Sequence, residues 1–192
     1  MPNAKGSVLV GLVKFLRKRR DSALEVLAPE HAHYLDDFVK LSAWYPEADF
    51  VALVRAVAKL MPGMSEKAAI EAIGAAGAQE HGEVYGDLLR TFYSNSSVFA
   101  LWSAQHDSGE LRGMLDAPTV ARVKLTGFDS PSEVHCMLSA GYIRGGLTGN
   151  GFEDIAIEKL LCVLRGDSHC EWRASWKNPD ATPATPVRRR AR

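Results

Sequence analysis

The sequence predicts an α+β fold, with N-terminal helices packed on a small antiparallel sheet made of two hairpins separated by a helix. Three observations predict it. As far as His106 the apolar residues recur at helical spacing, and from Gly109 they begin to alternate. The strand-like segments also come in adjacent pairs, unlike the βαβα alternation of a nucleotide-binding fold.

Each element has a local reason. Residues 6–20 place Val8, Leu12, Phe15 and Leu16 on one helical face. SALEVLA continues as helix and stops at Pro29, and EHAHYLDDF forms a short helix after it. The segment AWYPEADFVALVRAVAKLMPG is a helix with Pro46 at its first position. Glu47 and Asp49 suit its first turn, Phe50, Leu53, Val54, Val57, Leu60 and Met61 form its stripe, and Pro62-Gly63 ends it. A long helix punctuated by glycines runs from Ser65 towards Tyr93, and a shorter one covers Val98–His106. In TVARVKL, Ala121, Val123 and Leu125 share one face and Arg122 and Lys124 the other, the pattern of a half-buried strand. ELRGMLD is its partner through Ala117-Pro118. Residues 132–148 return to helix, and FEDIAIEKLLCVL with CEWRASW forms a second hairpin around Gly166.

A chain of 192 residues suits one domain. We expect that domain over 1–177 and a disordered basic tail over 178–192, where Pro, Ala, Thr and Arg leave little to form a core. The 23 basic and 23 acidic residues cancel, so no global field points to nucleic acid or a membrane. The apolar run SVLVGLVKFL precedes its charges, the reverse of a signal peptide. No stretch reaches the roughly 18 apolar residues of a membrane span. Three cysteines do not make a secreted disulfide framework, so a cytoplasmic location is expected. Lys14 and Arg17–Arg20 read as a solvated helix end rather than a phosphate site.

The cysteines carry the sharpest question. Pairing symmetric about Gly166, with a three-residue loop at Arg165–Asp167, sets Cys162 opposite Cys170, with Cβ atoms about 4.5–5.5 Å apart. Cys136, beside His135 at the next helix upstream, supplies a third thiol. Asp167, His169 and Glu158 are local candidates for a fourth ligand, although Glu158 lies about 13 Å along a regular strand from Cys162. Structural zinc takes four ligands, whereas cysteine is also a small hydrophobe at home in a core. A zinc site at Cys136, Cys162 and Cys170, or three buried thiols without any cofactor, are the two readings.

Cys136, Gly141, Tyr142, Gly145, Cys162, Gly166, Asp167 and Cys170 form a pattern that resembles the C-terminal half of the vinyl-4-reductase-type small-molecule-binding domain. That domain also serves as the sensor module of aromatic-responsive transcription activators. In the activators the three cysteines and a glutamate three residues before the second cysteine hold zinc. Here Lys159 stands at the glutamate's position, with Glu158 adjacent. The N-terminal half, with AWYP before one helix and a glycine-punctuated helix after it, is similar to a family of bacterial proteins of about this length. Together the two resemblances cover most of residues 5–177. They imply the fold shared by haem nitric-oxide-binding domains and vesicle-transport tethering subunits.

Other motifs are silent. GGLTGNG lacks the lysine of a phosphate loop, and no nucleophile elbow, HExxH or dinucleotide glycine pattern is present. Gly141, Gly145 and Gly149 strip one helix face of side chains, which points to close packing against a neighbour. Trp44, Tyr45, His81, Tyr85, Trp102 and His106 are candidate lining residues for an apolar pocket. No histidine has a context that marks it as a haem ligand. The expectation is a non-catalytic sensory module for an apolar or aromatic ligand, with the cysteines as a clasp. It would act as a homodimer or through a signalling partner. The alternative is a dimeric interaction scaffold with a filled core.

Overall fold

A computed structural model describes residues 1–90 and 100–177, apart from the side chains at 81–90, 100 and 101. The order is β1 (Asn3–Lys5), α1 (Gly6–Arg17), α2 (Arg20–Val26), a 3-10 segment (Pro29–Leu35), β2 (Trp44–Pro46), α3 (Glu47–Lys59) and α4 (Glu66–Arg90). After it come α5 (Ala100–Gln105), β3 (Glu110–Ala117), β4 (Val120–Thr126), α6 (Glu133–Gly149), β5 (Glu153–Leu161) and β6 (Cys170–Lys177). The α+β class and the two hairpins about a helix are as expected. The hairpins join through β4 and β6 into one antiparallel sheet of order β3-β4-β6-β5. The basic tail at 178–192 lies outside the described residues.

Two expectations are corrected. Trp44–Pro46 is not helical: it pairs antiparallel with Asn3–Lys5, and Pro46 precedes the helix that starts at Glu47. Proline has no N–H to continue a ladder and its fixed φ suits a helix entrance, so it closes one element and opens the next. The helix expected over 6–20 ends at Arg17, and a new one starts at Arg20. The basic cluster there is solvent-exposed, as a solvated helix end would be, and two of its members also tie chain segments together. The Arg17 guanidinium donates to the carbonyls of Tyr34 and Asp37, and Arg20 pairs with Asp36 at 2.9 Å, pinning the 3-10 segment to α1.

Two cores result. Leu9, Leu16, Leu53, Val54 and Ile70 centre the helical one, while Val123, Leu125, Trp172, Ala174 and Trp176 centre the other on the sheet. Ala121, Val123 and Leu125 are buried as the alternation predicts. Helix α6 serves both, with Val134 in the first core and Ile143 and Leu147 in the second. It crosses α4 backbone to backbone. A Cβ at Gly141 would collide with the Glu71 carbonyl, one at Gly74 with the Leu138 carbonyl, and one at Gly145 would lie 2.6 Å from the Ala75 oxygen. Gly149 has open space around it, so the stripped face is used at two of its three glycines. No helix among the described residues is long and apolar enough to cross a membrane.

Candidate functional site

A cavity of about 430 Å³, open to solvent on one side, lies where α1, α3, α4, α5 and α6 meet. Val8, Leu12 and Phe15 of α1, Phe50 and Val57 of α3, and Ile73 of α4 give it mostly apolar walls. The polar groups concentrate near α5 and α6, where Gln105, His106, Ser139 and Tyr142 face it, and Glu80 adds a carboxylate. A large apolar pocket with few polar groups is the usual form of a small-ligand site.

His106 is the most constrained of these groups. It stacks on Trp102 with ring centroids 4.1 Å apart, and Trp102 Nε1 donates to the Ser108 carbonyl at 3.0 Å. Gly109, with φ of 82°, turns the chain from α5 into β3. A side chain there would press on Phe128 and Trp102, so only glycine leaves the stack intact. His106 Nδ1 lies 3.1 Å from Glu47 Oε2, and His135 Nε2 lies 2.8 Å from Glu47 Oε1. His135 Nδ1 in turn meets the Ser132 hydroxyl at 2.7 Å. All three members, Glu47, His106 and His135, are buried. Phe50 and Phe128 pack against both imidazoles, so the network sits in an aromatic box. Burial alone would raise the Glu47 pKa, but the hydrogen bonds from His106 and His135 outweigh it and hold it down at about 2.

Of the residues singled out from sequence, Trp102 and His106 line this cavity. Trp44 and Tyr45 do not. Trp44 is exposed beneath Lys5, and the Tyr45 hydroxyl accepts from the Lys40 N–H at 2.9 Å, because the segment is a strand edge and not a helix start. His81 and Tyr85 fall among the residues whose side chains are not described. Glu47 and His135 were missed as site residues. Glu47 lies 59 positions from His106 and 88 from His135, so no local spacing announces the trio.

The cysteines converge. The sulfurs of Cys136, Cys162 and Cys170 all lie within 4.8 Å of one another, with Cys136 and Cys162 at 3.7 Å. Of the β5–β6 pairs only the last, Leu161↔Glu171, is symmetric about Gly166. Those from Ala156 to Lys159 are offset by one residue across a bulge, and Cys162 lies beyond the ladder and is not paired with Cys170. The loop is longer than three residues, because a 3-10 turn over Val163–Arg165 follows Cys162 and Gly166 ends it at φ 90°. The local candidates for a fourth ligand are engaged elsewhere. Asp167 Oδ2 accepts from the Cys162 N–H at 2.6 Å, His169 pairs with Glu171 at 3.1 Å, and Glu158 is exposed. Lys159 instead brings a buried ammonium 3.3 Å from the centroid of the Trp172 ring and beside the Cys170 sulfur. A hydrogen bond from Cys136 lowers the Cys170 pKa, and the Val163 N–H and the Lys159 charge act in the same direction. The Cys136 thiol is pushed up by that same bond and by burial.

Neither the protein-family models nor the sequences of curated proteins yield a match. Solved structures do. An H-NOX protein from S. oneidensis in its Fe(II)NO ligation state is 18% identical with a TM-score of 0.64, over 91% of this chain and 99% of that one. The fold is that of an H-NOX domain. A Cs H-NOX mutant carrying 4-cyano-L-phenylalanine shares 15% identity and a TM-score of 0.66 over 92% of this chain and 98% of its own. A point mutant of T. Tengcongensis H-NOX shares 15% and 0.61 over 92% and 99%. The haem nitric-oxide-binding fold implied by the sequence resemblance is thus the one observed. The cofactor expectation, zinc or none, is corrected. The H-NOX neighbours are described by Fe(II) ligation states and by heme distortion, so the group that accompanies this fold in them is haem.

Proposed function

We propose that this chain is a non-catalytic sensory domain whose cavity holds a small, largely apolar ligand, and that haem is the ligand its residues fit. One observation carries the reading: His106 stands on the wall of an apolar cavity with Nδ1 engaged by a buried carboxylate. Metal-bound histidines characteristically donate their other ring N–H to such a partner. The flat faces of Trp102 and Phe50 and the apolar side chains of α1 and α4 suit a porphyrin plane. No arginine or lysine is among the described lining residues. The carboxylates of a haem therefore belong at the side open to solvent, where water can hydrate them.

His106 would hold the iron, Glu47 would orient His106, and the apolar walls would exclude water. A bound haem supplies an iron able to take a diatomic gas. Residues of α6 line the cavity while its first turn carries Cys136, so an occupant can bias the packing of α6. The three thiols then act as a clasp joining α6 to the β5–β6 hairpin. The output passes to a homodimer or to a signalling partner. A cavity of this volume supports the binding reading over a scaffold with a filled core.

Haemin titrated into the purified chain tests the proposal. A saturable one-to-one shift of the Soret band is expected, lost in His106→Gly and restored by added imidazole. An unchanged Soret band, or the same band in wild type and His106→Gly, would overturn the haem assignment.

A further inference from the structure

We infer that Glu47 is a positioning residue that fixes which nitrogen His106 offers to the cavity, and that it ties this imidazole to the start of α6 through His135. The inference rests on the cavity being the ligand site. Its first step follows from hydrogen-bond chemistry alone.

An ionised carboxylate has acceptors and no donor. Each Glu47 oxygen faces one ring nitrogen, Oε2 at 3.1 Å from His106 Nδ1 and Oε1 at 2.8 Å from His135 Nε2. Both of those nitrogens must therefore carry hydrogens. On His135 the other nitrogen, Nδ1, lies 2.7 Å from Ser132 Oγ, which also accepts the His135 backbone N–H at 3.4 Å. The serine O–H is free to donate to Nδ1, which suits the Nε2–H tautomer of His135. With its own Nδ1–H committed to Glu47, a neutral His106 leaves the Nε2 lone pair for a ligand. The backbone fixes the same arrangement. The Glu47 N–H donates to the Pro2 carbonyl at 3.0 Å, and Ala4 bridges to His106, so β1 holds α3 and α5 at this spacing.

The second step concerns α6. Ser132 is its N-cap and His135 lies in its first turn, next to Cys136. Any displacement of the His106 ring loads one oxygen of a carboxylate whose other oxygen is bonded to that turn. The carboxylate thus serves two elements at once.

Variants at position 47 separate these roles. Glutamine keeps one acceptor oxygen and replaces the other with a donor amide. Ser132 can accept as well as donate, so His135 is the ring able to change tautomer in Glu47→Gln, while His106 keeps Nδ1–H. Glu47→Leu removes both acceptors. Nitrogen-15 NMR of the ligand-free protein, assigned with His106→Gly and His135→Gln, should show Nδ1–H for His106 in wild type and Glu47→Gln. In Glu47→Gln it should show His135 switched to Nδ1–H. In Glu47→Leu the His106 signal should show both tautomers. With haemin bound, Glu47→Leu should bind about 10- to 100-fold more weakly, as for other lost partners of metal-bound histidines. Glu47→Gln should bind nearly as wild type but with a higher midpoint potential, since a neutral partner stabilises the ferric state less. His106 found as Nε2–H in wild type overturns the proposal, and so does an unchanged His106 tautomer in Glu47→Leu. If Glu47→Leu does not fold, the His135 switch in Glu47→Gln decides. If wild type binds no haemin, the haem reading fails and the ligand-free spectra decide this inference by themselves.

Discussion

Replacing Gly145 with alanine should separate α4 from α6, and the size of the effect follows from the crossing. The added Cβ would sit 2.6 Å from the Ala75 carbonyl oxygen and 2.7 Å from its Cα, both backbone atoms that cannot rotate away. Ordinary contact begins near 3.4 Å, so the helices must part by about 0.8 Å (3.4 less 2.6). A gap of that size forfeits a quarter to a half of the dispersion energy of the contacts it opens, and forced overpacking costs about 1–3 kcal/mol. Better helix propensity returns about 1 kcal/mol, which leaves a net loss of up to about 2 kcal/mol. For a chain of this length that lowers Tm by up to roughly 8 °C. Gly146→Ala, one residue on in the same helix, is the control. Its Cβ meets nothing within 4 Å, so only the propensity gain remains and Tm should rise by roughly 1–4 °C. Thermal melts followed by circular dichroism at 222 nm measure both. If Gly145→Ala melts at or above wild type, the helices are not in backbone contact and the packing argument fails.

Two further outcomes are expected. Because Glu47 is depressed from 4.5 to about 2 by its two imidazoles, it contributes stability that is complete above its ordinary pKa and is lost as pH falls from about 4.5 towards 2. The loss amounts to about 3 kcal/mol. Urea unfolding at pH 6, 4.5 and 3 should show this slope in wild type and a flatter one in Glu47→Gln, and identical slopes would refute the assignment. The buried Tyr34 hydroxyl donates to Asp49 Oδ2 at 2.7 Å, while the other oxygen of that carboxylate faces His31 at 3.2 Å. Tyr34→Phe should therefore cost about 1.5–3 kcal/mol in urea unfolding, the value of a hydrogen bond to a charged group. A change below about 0.5 kcal/mol would mean water or His31 already serves Asp49.

Local periodicity was enough to read the elements whose neighbours are regular. Ala121, Val123 and Leu125 alternate because β4 lies inside the sheet and packs on one face. Gly141 and Gly145 marked a helix that a second backbone approaches. The closeness of Cys162 and Cys170 was legible from the hairpin, although the register, shifted by a bulge, and the loop conformation were not. What stayed hidden was non-local or too short to show a period. Strands β1 and β2 have three residues each, so neither repeats an alternation, and their pairing joins Asn3 to Pro46. The candidate site draws its polar trio from α3, the end of α5 and the start of α6. Glu47 reads in sequence as an ordinary first-turn carboxylate, and only the folded chain turns it inward.

The crossing of α4 and α6 also fixes how closely the two helices are coupled. With no side chains between them at Gly74, Gly141 and Gly145, the two rods touch directly instead of resting on a compressible layer. Ile73 and Gly77 on one rod and Leu138 and Tyr142 on the other border the cavity beside that contact. An occupant that spread them would press on α6, whose far end, at Ile143 and Leu147, is seated in the sheet. The cavity and the sheet thus share one helix, and the glycines leave no side-chain layer on its α4 side to absorb the load.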